Sequence, residues 1–193
     1  YAFSSENWGR PQDEVSGLMK LFTGTLDREV DELHRRGIRL CFIGDASRFS
    51  VGIQQRMQAA EALTAHNTRM TLAIAASYGG RQDIVQAAQA LAREVAEGRL
   101  QIEAIDEAHF SAKVALADVP PPDLMIRTGG DHRISNFLLW QLAYAELWFT
   151  DTLWPEVDAA TLQRAFDDYA SRQRRFGLTG AQIERAAKDC ATP

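Results

Sequence analysis

The sequence contains only two cysteines among its 193 residues, Cys41 and Cys190, and their wide separation gives them no metal-ligand spacing. So low a count excludes a disulfide framework and is typical of proteins in a reducing compartment. Cys41 lies in a short apolar run, where we expect an ordinary buried side chain. We therefore expect a cytoplasmic protein.

Other absences disfavour whole classes of function. No apolar run is long enough to cross a bilayer, and no signal peptide is visible. Neither common glycine-rich nucleotide loop occurs, which leaves a nucleotide-binding α/β domain as a weak alternative. The 26 acidic and 21 basic side chains give a formal charge of −5, whereas nucleic-acid binding needs a basic face. We expect no nucleic-acid partner, and the arginines must act locally, in a pocket.

Helical and strand patterns alternate along the chain. The longest helical pattern spans residues 11–36, where apolar side chains recur at helical spacing before Gly37. Further helices are predicted at 47–63, 83–97, 134–144 and 158–176, and buried strands at 38–43, 70–76, 124–127 and 147–150. This alternation predicts an α/β fold with a mostly parallel central sheet flanked by helices. We expect one domain over residues 1–180 and a polar tail at 181–193.

The segment 127–141, RTGGDHRISNFLLWQ, is polar for nine residues and then turns apolar. Arg127 and Arg133 offer planar sets of donors that suit phosphate oxygens, and Ser135 adds a hydroxyl. The intervening glycine pair would let the backbone approach an anion. If a helix follows, its first amides point at the same anion. We interpret the segment as a diphosphate clamp beside an apolar cavity; a solvated loop is the simpler alternative.

A second polar cluster, SSENWGR, occupies residues 4–10. Arg10 is a further candidate for phosphate contacts. Glu6 and Asn7 are candidates for handling a proton or polarising a substrate. Because an amide is a poor base, Asn7 would orient a proton path, or it simply closes a turn. Both polar clusters follow predicted strands, and parallel sheets bind ligands beyond the carboxyl ends of their strands.

Two further side chains have open interpretations. Glu146 follows the apolar run, where a carboxylate is costly unless it is paired or bound to a metal. Mg²⁺ is the natural ion beside diphosphates, and a salt bridge at the edge of the core is the equal alternative. His132 is either a proton carrier or a structural residue. The late tryptophans Trp140, Trp148 and Trp154 are expected in the core or at an interface.

Three blocks of the sequence resemble the cis-prenyltransferases, and most closely the bacterial members that make undecaprenyl diphosphate. They are YAFSSENWGRP at 1–11, SYGGRQDI at 77–84 and RTGGDHRISNFLLWQLAYAELWF at 127–149. The resemblance implies an α/β fold with a hydrophobic tunnel. It implies condensation of farnesyl diphosphate with successive isopentenyl diphosphates, giving undecaprenyl diphosphate, the precursor of the lipid carrier for peptidoglycan. It also implies Mg²⁺, a homodimer and peripheral membrane contact through the lipid product.

The same resemblance implies roles for individual residues. Arg127, Arg133 and Ser135 match positions that hold isopentenyl diphosphate, and Ile134 lies among them. Asn7 matches the proton acceptor, and Glu146 matches a magnesium-linked carboxylate. The residues that match a mobile substrate-binding loop are Ser4, Ser5, Glu6, Trp8 and Arg10. Segment 175–177 resembles an element that reaches the partner's site, and Ala2 and Met70 match positions that set the tunnel's width and depth.

The sequence departs from the family's pattern in two places. The family's first signature, Asp-Gly-Asn-Gly-Arg-Trp, carries the catalytic aspartate and does not occur in these 193 residues. We expect the natural protein to carry it before Tyr1, and these residues alone to be inactive. A non-catalytic partner subunit is the alternative, and so is a synthase of different product length. Ser77 stands where asparagine is usual, with little effect expected because serine also bonds a turn backbone.

Overall fold

A computed structural model describes residues 1–173, and it confirms the α/β class and the parallel pairing of the strands. The strands are β1 (Phe3–Ser4), β2 (Ile38–Ile43), β3 (Met70–Tyr78), β4 (Leu124–Arg127) and β5 (Glu146–Phe149). The helices are α1 (Gln12–Arg35), α2 (Val51–Thr64), α3 (Gly80–Ala96), α4 (Glu107–Ser111) and α5 (Ala159–Ser171). The predicted bounds of β2 and β4 are confirmed, and α1 lies within its predicted range.

The described residues divide into two compact units, and the chain first passes from one unit to the other after Pro120. The first unit comprises Tyr1–Pro120 and Ser135–Trp140, and the second comprises Pro121–Ile134 and the residues from Gln141 onward. The sequence predicted one central sheet, whereas the described strands form a three-stranded and a two-stranded sheet. The segment 175–177 and Cys190 lie outside the described residues.

In the first unit, β3 is the central strand of the order β1-β3-β2. Its register with β2 runs without interruption from Ile38 opposite Met70 to Ile43 opposite Ala75. Helices α1 and α2 contribute apolar side chains to a core against this sheet. The buried members of that core are Leu26, Phe49, Ile53, Met57 and Ala76. Alternating helices and parallel strands thus bring the carboxyl ends of β1, β2 and β3 to one edge.

The second unit is built on β4 and β5, which pair in parallel from Leu124 opposite Glu146 to Arg127 opposite Phe149. Asp158 caps the beginning of helix α5, because its carboxylate oxygen accepts the Thr161 amide hydrogen at 2.7 Å. No helix among residues 1–173 is both long enough and apolar enough to span a membrane.

The helix predicted over residues 134–144 is wrong, because this stretch forms a series of turns. Ser135, Asn136 and Leu138 have φ angles of +45°, +60° and +42°. Left-handed residues cannot continue a right-handed helix, and a pattern of apolar residues does not reveal them. Helix α3 differs in the other direction: it begins at Gly80, three residues before the predicted start at residue 83.

Cys41 is half-buried in β2, and burial raises the pKa of its thiol. A thiol with a raised pKa is a weak nucleophile at neutral pH. This agrees with the structural role predicted for Cys41.

Gly44 directly follows the last residue of β2, and we predict that alanine is not tolerated there. Its φ is +116°, and a Cβ would lie 2.2 Å from the Ala76 carbonyl oxygen. Gly44→Ala should lower the free energy of unfolding by about 2–5 kcal/mol, measured by urea denaturation. Gly24→Ala is the matched control: Gly24 lies in α1 with open space at its Cβ position, so alanine should stabilise by about 0.5–1 kcal/mol. Equal urea midpoints for Gly44→Ala and the wild type would contradict this account.

Candidate active site

The parallel pairing of β1 with β3 brings two polar segments together in the first unit. Ser4 lies opposite Tyr78, so the 3₁₀ turn Ser5–Gly9 follows β1 at the same edge where Gly79 and Gly80 follow β3. The Trp8 indole nitrogen donates to the Ser77 hydroxyl at 2.9 Å. Ser77 is buried and has a φ of +55°, so it holds the left-handed conformation in which asparagine is commoner.

Asn7 closes the turn in which it lies. Its side-chain oxygen accepts the backbone hydrogen of Ser4 at 2.8 Å. The structure therefore shows the turn-closing interpretation that the sequence left open. The oxygen is the more basic atom of an amide and has two lone pairs, so the bond from Ser4 leaves it able to accept one further hydrogen.

Glu6 is held by two side chains. Its carboxylate accepts from the Asn136 amide nitrogen at 2.6 Å and from the Ser5 hydroxyl at 3.0 Å. Burial acts to raise the pKa of Glu6, but hydrogen bonds led by the one from Asn136 outweigh it and leave that pKa below its ordinary value. Glu6 is therefore an ionised acceptor at neutral pH.

Tyr1 is a site neighbour that the sequence did not single out. Its hydroxyl donates to the Tyr78 carbonyl at 3.0 Å, and its ring stacks on Phe137 at 4.6 Å. Burial, with the Glu6 charge adding to it, raises the pKa of Tyr1 to about 12. The phenol thus stays protonated and serves as a donor.

Arg10 forms an ion pair with Glu14 in the first turn of α1, at 2.6 Å. Half of its side chain is exposed, and a phosphate would have to compete with Glu14 for it.

In the second unit, Arg127 and Arg133 converge on one carboxylate oxygen. Each donates to the same oxygen of Asp131, Arg127 at 2.7 Å and Arg133 at 2.6 Å. Arg127 also donates to the main-chain carbonyl of Arg133. The chain's own anion therefore stands where the sequence predicts a diphosphate. Asp131 was missed because its two partners become neighbours only in the folded loop.

The glycine pair acts differently from the prediction. Gly129 and Gly130 have φ angles of +83° and +78°, and their amides donate to the carbonyls of Thr152 and Thr150 at 2.9 and 3.0 Å. Because these hydrogens extend the pairing beyond β4 and β5, they are not presented to an anion. The helix predicted over residues 134–144 is absent as well. The anion-binding character of this loop therefore comes from the side chains of the two arginines.

Glu146 forms the salt bridge that was one of its two expected outcomes. Its carboxylate accepts from Arg172 at 2.8 Å, and Arg172 also pairs with Asp168 at 2.6 Å. Among residues 1–173, no three His, Cys, Asp or Glu side chains are grouped as metal ligands.

The remaining candidates have structural contacts. His132 stacks on Phe149 at 5.0 Å with nearly parallel rings, as its structural interpretation predicted. Trp140 packs on Phe110 in the first unit, whereas Trp154 is 75% exposed. Of the two tunnel positions, Ala2 is exposed and Met70 is 50% exposed.

Each unit therefore gathers part of the predicted set. The first unit holds Ser4, Ser5, Glu6, Asn7, Trp8, Arg10 and Ser135, and the second holds Arg127, Arg133, Ile134 and Glu146. Asn136 was also missed, although an asparagine between a polar turn and an apolar run favours left-handed backbone.

Comparison with known proteins identifies the family of this chain. The model of the family described as putative undecaprenyl diphosphate synthase matches residues 1–177. The chain belongs to the undecaprenyl diphosphate synthase family. As a member of this family it is a prenyltransferase, which confirms the activity class that the sequence blocks predicted.

Individual relatives agree with this membership. The ditrans,polycis-undecaprenyl-diphosphate synthase of Xanthomonas campestris is 68% identical over 192 residues, covering 100% of this chain and 74% of the relative. The Escherichia coli enzyme of the same name is 57% identical, covering 96% of this chain and 74% of that protein.

Solved structures show the same fold. Lavandulyl diphosphate synthase from Lavandula x intermedia, solved with dimethylallyl diphosphate, is similar with a TM-score of 0.88 and 39% identity, over 91% of this chain and 76% of that one. A probable undecaprenyl diphosphate synthase from Campylobacter jejuni gives a TM-score of 0.80 and 35% identity, over 91% of this chain and 80% of that one.

In this prenyltransferase, Asp131 should compete with an incoming diphosphate for the two arginines. Asp131→Asn keeps the side chain's shape and removes its charge, so we expect inorganic pyrophosphate to bind about tenfold more tightly, measured by calorimetry. Asp118→Asn is the control, because Asp118 pairs with a different arginine, Arg39, at 2.6 Å. Weaker pyrophosphate binding by Asp131→Asn would show instead that Asp131 organises the arginines for the ligand.

Proposed function

We propose that this protein condenses farnesyl diphosphate with successive isopentenyl diphosphates in cis and that it releases undecaprenyl diphosphate. Relatives that are 56–68% identical are named ditrans,polycis-undecaprenyl-diphosphate synthase, specific for (2E,6E)-farnesyl diphosphate, which supports both substrate and product. The observation that carries the proposal is the convergence of Arg127 and Arg133 on one anion.

The two arginines would hold the diphosphate of isopentenyl diphosphate, with Ile134 and Ser135 completing that subsite. A diphosphate offers several charged oxygens, whereas Asp131 offers one shared oxygen to both guanidiniums. The substrate can therefore replace Asp131 and make more charge-assisted hydrogen bonds than it breaks. Arg133 is 67% exposed and accessible to such a ligand.

The reaction needs charge stabilisation and the loss of one proton. The double bond of isopentenyl diphosphate attacks the allylic carbon while diphosphate leaves as an anion. Cationic side chains fixed near that anion lower the barrier. Loss of a proton from the new cation then forms the next double bond. In our proposal Asn7 orients the path of that proton, and the turn formed by Ser4, Ser5, Glu6, Trp8 and Arg10 covers the substrates.

Glu146 would hold Mg²⁺ together with substrate oxygens. Glu146 now pairs with the Arg172 guanidinium, so the ion would have to displace that cation, and substrate phosphate oxygens would complete its coordination. The bound ion would neutralise charge on the departing diphosphate.

The growing hydrocarbon would enter between α1 and α2. A cavity of about 180 Å³ lies between these helices, lined by Leu26, Val30, Ala59, Ala60 and Leu63, with Asp27 and Arg56 also on its wall. Pockets for drug-sized ligands occupy about 300–1,000 Å³. The helices would therefore have to separate as the chain lengthens, and the tunnel roles of Ala2 and Met70 remain predictions.

We further propose that the protein is a homodimer in the cytoplasm. Its lipid product would bring it into contact with the inner face of the membrane. The second unit leaves several large apolar side chains exposed, as a protein interface requires. They are Tyr144, Leu147, Leu153, Trp154, Leu162 and Phe166.

Elongation by the complete gene product tests the proposed reaction. The protein would be incubated with farnesyl diphosphate, labelled isopentenyl diphosphate and Mg²⁺, and the extracted lipids would be sized. We expect a ladder that ends at undecaprenyl diphosphate. A ladder with a different end point would support the same condensation reaction but show a product of another length. No elongation by folded protein would favour a non-catalytic partner subunit.

The arginine subsite is tested by a pair of variants with similar exposure. Arg133→Met should raise the KM for isopentenyl diphosphate about tenfold to a hundredfold, because it removes charge-assisted hydrogen bonds. Arg36→Met is the control: Arg36 is 64% exposed, against 67% for Arg133, and pairs with Glu32 at the end of α1. Steady-state kinetics would refute the assignment if both variants had the same KM.

A further inference from the structure

Asn136 joins two segments of the first unit that are far apart in sequence. Its side-chain nitrogen donates to Glu6 at 2.6 Å, and its side-chain oxygen accepts from the Arg81 amide at 2.8 Å. Its main-chain carbonyl accepts from the Gly80 amide at 2.6 Å. One residue thus binds the turn after β1 and also satisfies two amides in the first turn of α3.

The chemistry of the partners fixes the orientation of the Asn136 amide. A backbone N–H can only donate, so the atom facing Arg81 must be the oxygen. The ionised Glu6 carboxylate can only accept, so the atom facing it must be the nitrogen. A flipped amide would lose both hydrogen bonds. Asn136 therefore has one orientation that serves both partners.

The surrounding backbone is shaped to allow this junction. Asn136 has a φ of +60°, which asparagine tolerates better than most residues. A Cβ at Gly79 would lie 2.5 Å from the Ser5 hydroxyl and 2.9 Å from the Asn136 amide nitrogen. The absence of a side chain at Gly79 is what lets the turn after β1 approach Asn136.

We propose that Asn136 is a positioning residue that docks the turn Ser5–Gly9 for catalysis by holding the Glu6 carboxylate. This rests on the proposed function, in which that turn covers the substrates. Asn136 follows Arg133, Ile134 and Ser135 directly in the sequence. Asn136 therefore holds the turn that carries Asn7 and Trp8, and it lies three positions after Arg133 in the sequence.

Asn136→Asp removes the hydrogen bond to Glu6 but keeps the hydrogen bond from the Arg81 amide at the start of α3. The variant keeps an oxygen for the Arg81 amide and tolerates the left-handed backbone, but it sets a carboxylate against Glu6. We expect the KM for the two diphosphate substrates to rise about tenfold to a hundredfold. Hydrogen exchange in residues 4–10 should become about tenfold faster, while the thermal midpoint changes little.

Rescue distinguishes docking from a general structural role. In the double variant Asn136→Asp with Glu6→Gln, the glutamine amide can donate to the new carboxylate, which reverses the polarity of the same hydrogen bond. We expect slow exchange to return and KM to recover by at least about fivefold relative to Asn136→Asp. The proposal would be overturned if the change in KM of the double variant equalled the product of the changes in the two single variants.

Asn67→Asp is the matched control. The Asn67 amide nitrogen donates to the Ile38 carbonyl at 2.8 Å, a bond between the end of α2 and β2. Its loss should lower the thermal midpoint without changing KM or exchange in residues 4–10. The proposal is wrong if Asn136→Asp behaves like this control. Hydrogen exchange is measured without substrate, so it does not depend on activity. If the protein fails to elongate farnesyl diphosphate but the variants show the predicted exchange rates, only the proposed function is refuted.

Discussion

The first unit depends on the parallel pairing of β3 with its two neighbours. Parallel strands end at the same edge, so pairing with β1 and β2 brings the segments after all three to one place. The last four residues of β3, from Ala75 to Tyr78, are buried, which leaves this edge little freedom to shift. Close backbone packing also fixes Gly44 against Ala76. The position of the turn Ser5–Gly9 follows from that register.

At this edge of the sheet, the protonation state of each titratable side chain suits its hydrogen-bond partner. Glu6 is ionised and surrounded by donors from Asn136 and Ser5. Tyr1 keeps its proton and donates a hydrogen bond to a main-chain carbonyl, because burial and, after it, the nearby Glu6 charge raise the pKa of the phenol. Each polar group therefore has a partner of the opposite kind, and gain or loss of one proton would leave two acceptors or two donors facing each other.

The sequence predicted the parts of the fold that local patterns determine. β2 and β4 are apolar runs bounded by glycine or proline, and their bounds were correct. Helix α1 followed from its long apolar periodicity. The failure at 134–144 has a specific cause: the apolar residues there satisfy a helical pattern, but Ser135, Asn136 and Leu138 adopt left-handed backbone. Tertiary hydrogen bonds, such as those to Gly80, outweigh local preference at this point.

The same distinction separates the site residues that were predicted from those that were missed. Arg127 and Arg133 stood out because their side-chain chemistry is visible in a linear sequence. Asp131 and Asn136 act through partners that folding supplies, and neither residue type is unusual in a polar loop. An aspartate between two arginines can be a solvated loop residue or an internal anion, and only the loop geometry decides. Because a carboxylate is a smaller and less charged anion than a diphosphate, Asp131 can keep the guanidiniums together and still yield to substrate. In the proposed subsite the substrate therefore has to displace this carboxylate, and the hydrogen bonds lost from Asp131 reduce the net free energy gained on binding.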